Sequence, residues 1–477
     1  MVPKRFSAAF QRAIAIILAA GCFSVAQAGQ DEDLDLIPES VSSALLPTPK
    51  AGKGPLSLQL FTEDEYQYNS NRSVVVPLPA SYLPDWKNRF TFYTKADVRA
   101  HKTLTFSVTD RLNQLSDSYS DFPSGVVQND LNELYVSWQA GGENYLDAGR
   151  INLKSGVAIG FNPVDFFKKD AVSLRISEDP LVLRDNRLGT VMLRAQSIQS
   201  FGSITVAAAP QISAPPGTLL SDGSSFALGL QHTNPYPRYL AKFNGSYKDV
   251  NAELLYYNEN ADSFLGAAVS RGIGDQTVLY AEWSGGPQYN IIGGALVYDG
   301  QQLGVDTEKY VSFLPRDYDK RFRSQAVLGM SFTEKRYKRS TYLEYHYNGA
   351  GMDQTDWNYW YTGGYYASQL APFYDQPMLA LWSIRSYAQR MMEPASRHQL
   401  FWRTQWQDAI IPRLDLVGLA QINPVDGSFF FQPMAKYYAG DNFSLTLTMY
   451  FYVGKPRSEY GSVNTANVSK FAVTYYI

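Results

Sequence analysis

Long stretches of this chain alternate apolar and polar residues one for one. Phe90, Phe92, Thr94, Ala96 and Val98 are interleaved with Arg89, Thr91, Tyr93, Lys95, Asp97 and Arg99. Leu104, Phe106 and Val108 alternate with Thr103, Thr105, Ser107 and Thr109, and Leu134, Val136 and Trp138 with Glu133, Tyr135, Ser137 and Gln139. Near the C-terminus Phe443, Leu445, Leu447, Met449, Phe451 and Val453 alternate with Ser444, Thr446, Thr448, Tyr450 and Tyr452. A period of two puts the two sets on opposite faces of a β-strand.

The apolar face can pack on a soluble core or on lipid. The segments run about ten residues, the length that crosses the hydrocarbon of a bilayer at a tilt. Aromatic pairs and runs fall near segment ends (Tyr256-Tyr257, Tyr359 to Tyr361, Tyr475-Tyr476), as interfacial girdles do. Aromatics make up 14% of the chain, with 34 Tyr, 26 Phe and 8 Trp. A sheet that spans a bilayer must close on itself, because lipid offers its backbone groups no hydrogen bonds.

The first 28 residues fit a cleaved secretory signal. Lys4, Arg5 and Arg12 lead into an apolar run from Ala13 to Val25, and Ala26-Gln27-Ala28 supplies the small-x-small cleavage pattern. A rival reading, lipidation at Cys22, fits less well because the aliphatic residue of the box stands one place early. Cys22 is the only cysteine, so a chain beginning after Ala28 has no disulfide, no cysteine metal site and no thiol nucleophile. The signal holds three basic and no acidic residues, leaving 39 Lys and Arg against 45 Asp and Glu. That acidic balance gives no general affinity for nucleic acid.

From Leu56 to Ile477 the pattern offers roughly 22 candidate strands at hairpin spacing. Short polar turns are expected at 141–143, 199–202, 259–262 and 284–288, and long connections at 113–130, 154–187, 210–223, 299–320 and 454–466. The aromatic run 357–368 reads as either strand or loop. The fold class is therefore all-β, a transmembrane antiparallel β-barrel with an even number of strands, about 18 to 22, short periplasmic turns and long outer loops. Residues 29–55 form a periplasmic leader or a small plug, and 56–477 the barrel. The last segment, with Phe471, Val473, Tyr475 and Ile477 on one face, resembles the C-terminal strand by which the barrel-assembly machinery recognises its clients, although Ile477 replaces the usual final aromatic.

Little in the chain points to catalysis. Of four histidines, His101 falls in a tight turn, His232 beside Asn234-Pro235, and His346 and His398 inside strands. A barrel phospholipase needs Ser and His side by side on the outer face, and no pattern nominates that pair. No phosphate-cradling or metal-ligand spacing occurs, so no cofactor and no metal is expected.

Selective passage is better encoded. The strand at 145–153 breaks the alternation, since Leu146 and Ala148 share parity with Arg150 and Asn152. A bulge at Ala148-Gly149 would turn Asp147, Arg150 and Asn152 to the lumen and Leu146, Ile151 and Leu153 to lipid. Beyond it lies 154–187, with many charges and an apolar set (Val157, Ile159, Phe161, Phe166, Phe167, Val172, Leu174, Ile176) too large to leave in water. Long loops with structure of their own are usually functional. The expectation is an infolded constriction loop that turns at Asn162-Pro163 and brings Lys154, Asp165, Lys168 and Lys169 to the pore. Asn423-Pro424-Val425-Asp426 repeats the tetrapeptide as an ordinary hairpin turn.

Leu134-Tyr135-Val136-Ser137-Trp138, a short turn, Asp147-Ala148-Gly149-Arg150-Ile151-Asn152 and then Gly160-Phe161-Asn162-Pro163-Val164-Asp165 resemble porin-like outer-membrane barrels of the alginate-export type and their uncharacterised relatives. There a Glu-x-Tyr-x-x-aromatic hairpin ending in Gly-Arg feeds a long loop; Glu133, Tyr135, Gly149 and Arg150 match it. The resemblance implies an outer-membrane channel of a Gram-negative bacterium, passing a hydrophilic solute such as a saccharide by import or export. A barrel whose outer loops bind a surface partner, as an adhesin or assembly factor, is the competing expectation.

Overall fold

The computed structural model describes residues 55–118, 126–212, 225–302, 308–314, 319–370 and 375–477. The expected signal and nearly all of the expected leader lie outside these residues. Eighteen strands among them form one closed antiparallel sheet. In chain order they are β1 (Leu56–Asn71), β2 (Trp86–His101), β3 (Leu104–Asp117), β4 (Val126–Gly141), β5 (Asn144–Ile151), β6 (Thr190–Gln199), β7 (Gly202–Ala209), β8 (Arg238–Tyr247), β9 (Val250–Glu259), β10 (Asp262–Ile273), β11 (Thr277–Gln288), β12 (Arg321–Glu334), β13 (Arg339–Asn348), β14 (His398–Trp406), β15 (Leu414–Ile422), β16 (Phe429–Tyr438), β17 (Phe443–Val453) and β18 (Thr465–Tyr476). Each pairs with its sequence neighbours, and β1 pairs with β18 from Phe61↔Tyr476 to Asn71↔Thr465, so no sheet edge is left open.

The barrel is apolar outside and polar inside. Leu254, Leu265, Leu328 and Phe106 are exposed on the outer face, whereas Thr91, Arg111, Asn113, Glu282, Glu344, Arg403 and Lys470 are buried. This is the reverse of a water-soluble protein and the arrangement that lipid demands of a spanning barrel. The outward residues include Phe90, Phe92, Val98, Phe443, Leu445 and Leu447, the apolar sets read from the alternation. Among the described residues no helix is long and apolar enough to cross a membrane.

Connections after even-numbered strands are short, as at 102–103, 142–143 and 248–249; those after odd-numbered strands gather the long segments at the opposite end. One tight turn, Asn260-Ala261, sits at that long-loop end, with Asn260 in the left-handed region. The turn expected at 284–288 is instead the end of β11, paired with β12 through Gln288↔Arg321. Gly285 and Gly286 there leave room for aromatic rings of Phe322 and Phe264, not for a reversal.

The run 357–368 is neither strand nor loop. It lies in a helix, Gln354–Leu370, whose Trp357, Trp360, Tyr361, Gly364 and Ala367 recur at helical spacing and are buried. It packs with helices Ile291–Gln302 and Gln376–Arg390 and with Val76, Val311 and Leu314 in one apolar cluster at the long-loop end. Gly364 is a close approach, since a Cβ there would meet the Val76 side chain. Pro377 at the start of the third helix suits a position whose N–H has no helical partner. Arg385 on that helix lies over the rings of Trp357, Trp360 and Trp382 and donates to Ser462 Oγ and the Glu459 carbonyl, tying the cap to the 454–464 connection.

Candidate functional site: a loop strapped across the lumen

The connection between β5 and β6, residues 152–189, bonds to inward-facing side chains of strands far around the barrel. Its first limb is held by carboxylates. Gly156 N–H donates to Glu253 Oε1 of β9, Val157 and Ala158 N–H to Glu282 Oε1 of β11, and Ile159 and Gly160 N–H to Glu344 Oε1 and Oε2 of β13. An extended backbone has N–H groups it cannot pair with itself, and buried ones must find acceptors. Three glutamates on alternate strands supply them. Glu344 also accepts from Tyr280 Oη at 2.7 Å and lies 2.6 Å from His346 Nε2.

The loop then turns at Asn162-Pro163, where Asp165 N–H reaches back to the Asn162 carbonyl. Phe166 stacks on Tyr257 at 4.7 Å between centroids, and Val164, Phe166 and Phe167 join Leu255, Phe264 and Ala268 of the wall in one cluster. The return limb crosses to the other side. Lys470 of β18 donates to the Ile176 carbonyl at 2.9 Å, and the Arg403 guanidinium of β14 grips Asp179 with Nη2 at 2.9 Å. Asp179 caps a short helix, Pro180–Asp185, through Leu181 N–H. Leu181 packs with Tyr342, Phe401, Leu419 and Phe430 of the inner wall.

Arg187 clasps the two limbs. Its guanidinium donates to both Asp165 oxygens and to the Leu153 carbonyl, and it is 1% exposed. The limb ends at β4, where Asn132 donates to the Asn186 and Arg187 carbonyls. The β3–β4 register slips beside Asn132, between Thr109↔Glu133 and Asp110↔Leu131. The strand irregularity that serves the loop is therefore in β4. Asp170 ties the loop to the connections above: His232 Nδ1, Tyr298 Oη and Arg390 Nη1 converge on its carboxylate at 2.9, 2.9 and 3.1 Å.

Several expected positions change. The β4–β5 register is regular at Ala148 and Gly149, so no bulge forms there. Gly149 has a φ of +136°, and a Cβ on it would stand 2.7 Å from Tyr135 Cα; glycine is required by close backbone approach. Without the bulge Ile151 and Leu153 do not face lipid but are buried in the cluster with Val164 and Phe166. Arg150 pairs with the exposed Leu134, yet its guanidinium is buried: Nε donates to the Gly189 carbonyl and Nη1 to the Leu228 carbonyl, while Nη2 has no hydrogen-bond partner. Asp147 is buried on Arg194 Nε at 2.6 Å. Asn152 donates to the Arg184 carbonyl.

Asp165 and Lys168, expected near an eyelet, lie in the loop's packed interior, with Asn162 and Pro163 buried beside them. Lys168 Nζ donates to the Asn162 carbonyl at 2.6 Å and sits over the Phe161 ring. Burial pushes its amine down to about 8, opposed in part by Glu393 and Asp165. Lys169 is half-buried over Phe264.

Partly exposed loop charges are found instead at Lys154, which pairs with Asp185, and at Arg175, which pairs with Glu178 at 2.9 Å. The neighbouring wall carries its own ladder: Lys470 bonds Glu65, Arg89 bonds Glu63 and Glu65, and Thr91, Asn113 and Asp130 continue it into β3 and β4. The sequence reading missed Glu253, Glu282, Glu344, Arg403 and Lys470. Their signal was available, since each is a charged residue at an inward position of an otherwise alternating strand.

No family model matches the chain, and no curated protein matches it. Solved structures do. A triple mutant of the Rhodopseudomonas blastica porin is 10% identical, over 88% of this chain and 100% of that chain, with a TM-score of 0.39. Salmonella typhi OmpF, in complex with daunomycin, is 8% identical over 88% and 97%, with a TM-score of 0.39. Pseudomonas aeruginosa OccK11 (OpdR) is 9% identical over 88% and 96%, with a TM-score of 0.48.

Proposed function

We propose that this chain is a porin-like channel of a Gram-negative outer membrane, passing a hydrophilic solute passively through a lumen narrowed by loop 152–189. One observation carries the reading. A closed barrel with an apolar exterior holds a long loop against its inner wall by side chains of β9, β11, β13, β14 and β18. A loop so placed subtracts from the lumen cross-section, and the charged pairs left beside it set what enters. The narrowing falls to Lys154, Asp185, Arg175 and Glu178 against the Glu63, Glu65, Arg89 and Lys470 wall. Asp147, Lys169 and Asn152 support it, while Asp165, Lys168 and Arg150 hold the loop's shape.

Both signs of charge meet at that place, which suits a neutral or zwitterionic solute, such as a saccharide, better than a polyanion. The likeness to the alginate-export type rests on Glu133, Tyr135, Gly149 and Arg150 alone, and two of these now have structural duties. Catalysis is not favoured. His346 is locked between Glu344 and Gln399, and His398 on the outer face contacts Tyr345.

The test is reconstitution in a planar bilayer. The purified barrel is expected to pass steady current, and deleting 160–172 should raise the single-channel conductance. An unchanged conductance would refute the narrowing role of the loop. The competing reading, a barrel that binds a surface partner through its outer loops, draws on the apolar helical cap at the long-loop end. A barrel that inserts but carries no current would favour it. The periplasmic leader and recognition by the barrel-assembly machinery belong to the same proposal.

A further inference from the structure

A second surface lies at the short-turn end of the barrel. The turn between β12 and β13 reads Lys335-Arg336-Tyr337-Lys338, three basic residues and no acidic one, in a chain that is acidic overall. All four side chains are exposed. The other turns at this end carry at most one basic residue each. Beside it, the β14–β15 turn exposes Ile410 at 73% and Ile411 at 50%. We propose that these two turns together bind the headgroup of an anionic phospholipid in the periplasmic leaflet, which rests on the outer-membrane reading that places short turns there.

The two turns form one braced surface. Gln407 N–H donates to the Lys338 carbonyl at 3.1 Å, and Lys338 Nζ bonds Asp408 Oδ2 at 2.6 Å. Asp408 Oδ1 accepts from Arg413 N–H, and Ala409 N–H donates to the Leu414 carbonyl, both at 2.7 Å. Ile410 and Ile411 are thus displayed by a turn whose shape other residues set. An aliphatic pair held out in this way joins no core of its own and finds apolar surroundings only outside the chain.

Register places both turns at the edge of the lipid. Trp406 shares its strand face with the exposed Leu400, so it points outward, and it pairs across with Arg339 of β13 and Leu416 of β15. Outward-facing Trp belongs to the belt that sits at the headgroup level. Lys335 adjoins Glu334, the partner of Arg339 in the β12–β13 register. The basic turn therefore begins about 3.4 Å along the strand beyond the Trp406 register, and the apolar exterior of the barrel continues past it through Ile410 and Ile411.

The charge left over selects the headgroup. Arg339 pairs with Glu334 and Lys338 with Asp408, which offsets both, and Arg413 stands 3.6 Å from Asp441. Among the described residues Lys335 and Arg336 make no ion pair; the Arg336 guanidinium lies over the neighbouring Tyr337 ring. Two unpaired cations beside an exposed aliphatic pair suit the phosphate and the first acyl methylenes of one lipid. Each such cation near an anionic surface is worth about fivefold in binding. A zwitterionic headgroup carries its own ammonium and gains less.

The experiment is native mass spectrometry of the full chain released from nanodiscs of equal parts phosphatidylglycerol and phosphatidylethanolamine, with a second arm that adds lipid A. The parent should retain phosphatidylglycerol over phosphatidylethanolamine by about tenfold to twentyfold. Lys335→Gln combined with Arg336→Gln should bring that ratio to within about twofold of one. Lys335→Arg should leave it unchanged, and Ile410→Ser with Ile411→Ser should reduce retention of both lipids. Heat-modifiable migration on gels checks that each variant folds. An unselective parent, or a ratio undiminished by Lys335→Gln with Arg336→Gln, overturns the proposal. So does a preference for lipid A, the phosphate-bearing lipid of the opposite leaflet. Single-channel conductance should be the same in all variants as in the parent. A barrel that retains phosphatidylglycerol but carries no current would leave this site standing and remove only the channel reading.

Discussion

Glu344 Oε1 accepts the backbone N–H of Ile159 at 2.7 Å, joining β13 to a loop residue 185 positions earlier in the chain. The neighbouring Gly160 N–H falls on Oε2 of the same carboxylate at 2.9 Å. Glu344→Gln keeps one acceptor but turns an amide N–H₂ toward a donor. Each lost charge-assisted bond costs about 1.5 to 3 kcal/mol. The loop should loosen at 159–160 first, giving a noisier open-channel current than the parent in planar bilayers. A variant with the parent's quiet current and the parent's conductance would show that the strap does not hold the loop.

Arg187 and Asp165 form the loop's internal clasp, both nearly fully buried. Removing Arg187 leaves the buried Asp165 with only Arg184 Nε, 3.7 Å away, so the loss falls below the range of about 3 to 5 kcal/mol for a fully broken buried pair. Arg187→Ala should therefore lower the thermal unfolding midpoint in detergent well below that of the parent. Arg187→Met combined with Asp165→Leu should recover only part of the loss, because it removes the stranded carboxylate but leaves the buried Arg184 without its Asp165 partner. If the double variant melts as low as the single one, the clasp acts through geometry and not through charge.

The barrel was legible in the sequence because lipid allows few solutions. Strands such as Phe90 to Val98 and Phe443 to Val453 repeat the same two-residue pattern, and any such sheet must close. The helix 354–370 was hidden because its face of Trp357, Trp360, Tyr361 and Gly364 is aromatic and small, a composition that strands also favour. Around the loop, Phe161, Phe166 and Phe167 mark a segment too apolar to stay in water, and the expectation of infolding rests on them.

What holds the loop was not legible in that segment. Its partners Glu253, Glu282, Glu344 and Arg403 lie far along the chain, and pairing across a barrel depends on closure and register. In the sequence Arg150 and Asp165 resemble lining residues, because charge alone suggests contact with water. Carbonyls of Gly189 and Leu228 take two of Arg150's donors instead, and Arg187 and Arg184 face Asp165.

Gly149 tests the replacement for the bulge. Its φ of +136° lies where L-residues rarely go, and the Tyr135 backbone occupies the space of a Cβ. Such strain costs about 1 to 3 kcal/mol. Gly149→Ala should reduce the yield of heat-modifiable folded barrel on gels and lower its unfolding midpoint. A variant that folds and melts like the parent would show that β5 relaxes freely at this point.

Lys168 gives the loop a dependence on pH whose sign can be worked out. Its folded amine titrates at about 8, against 10.5 for the ordinary group, chiefly because it is buried. Below about 8 the amine is charged in both states, and the folded state bears the full cost of burying that charge. Between about 8 and 10.5 the unfolded chain binds the extra proton and the folded chain does not, so stability rises with pH. Other lysines and tyrosines titrate in the same range, and the informative quantity is the difference from Lys168→Met. That variant keeps the apolar stem but loses the charge and the bond to the Asn162 carbonyl. The parent's unfolding midpoint should gain on the variant's as pH goes from 8 to 10.5 and stay parallel to it from 6 to 7.5. A difference that is flat throughout would mean that Lys168 reaches water inside the lumen, and would return it to the pore-lining set.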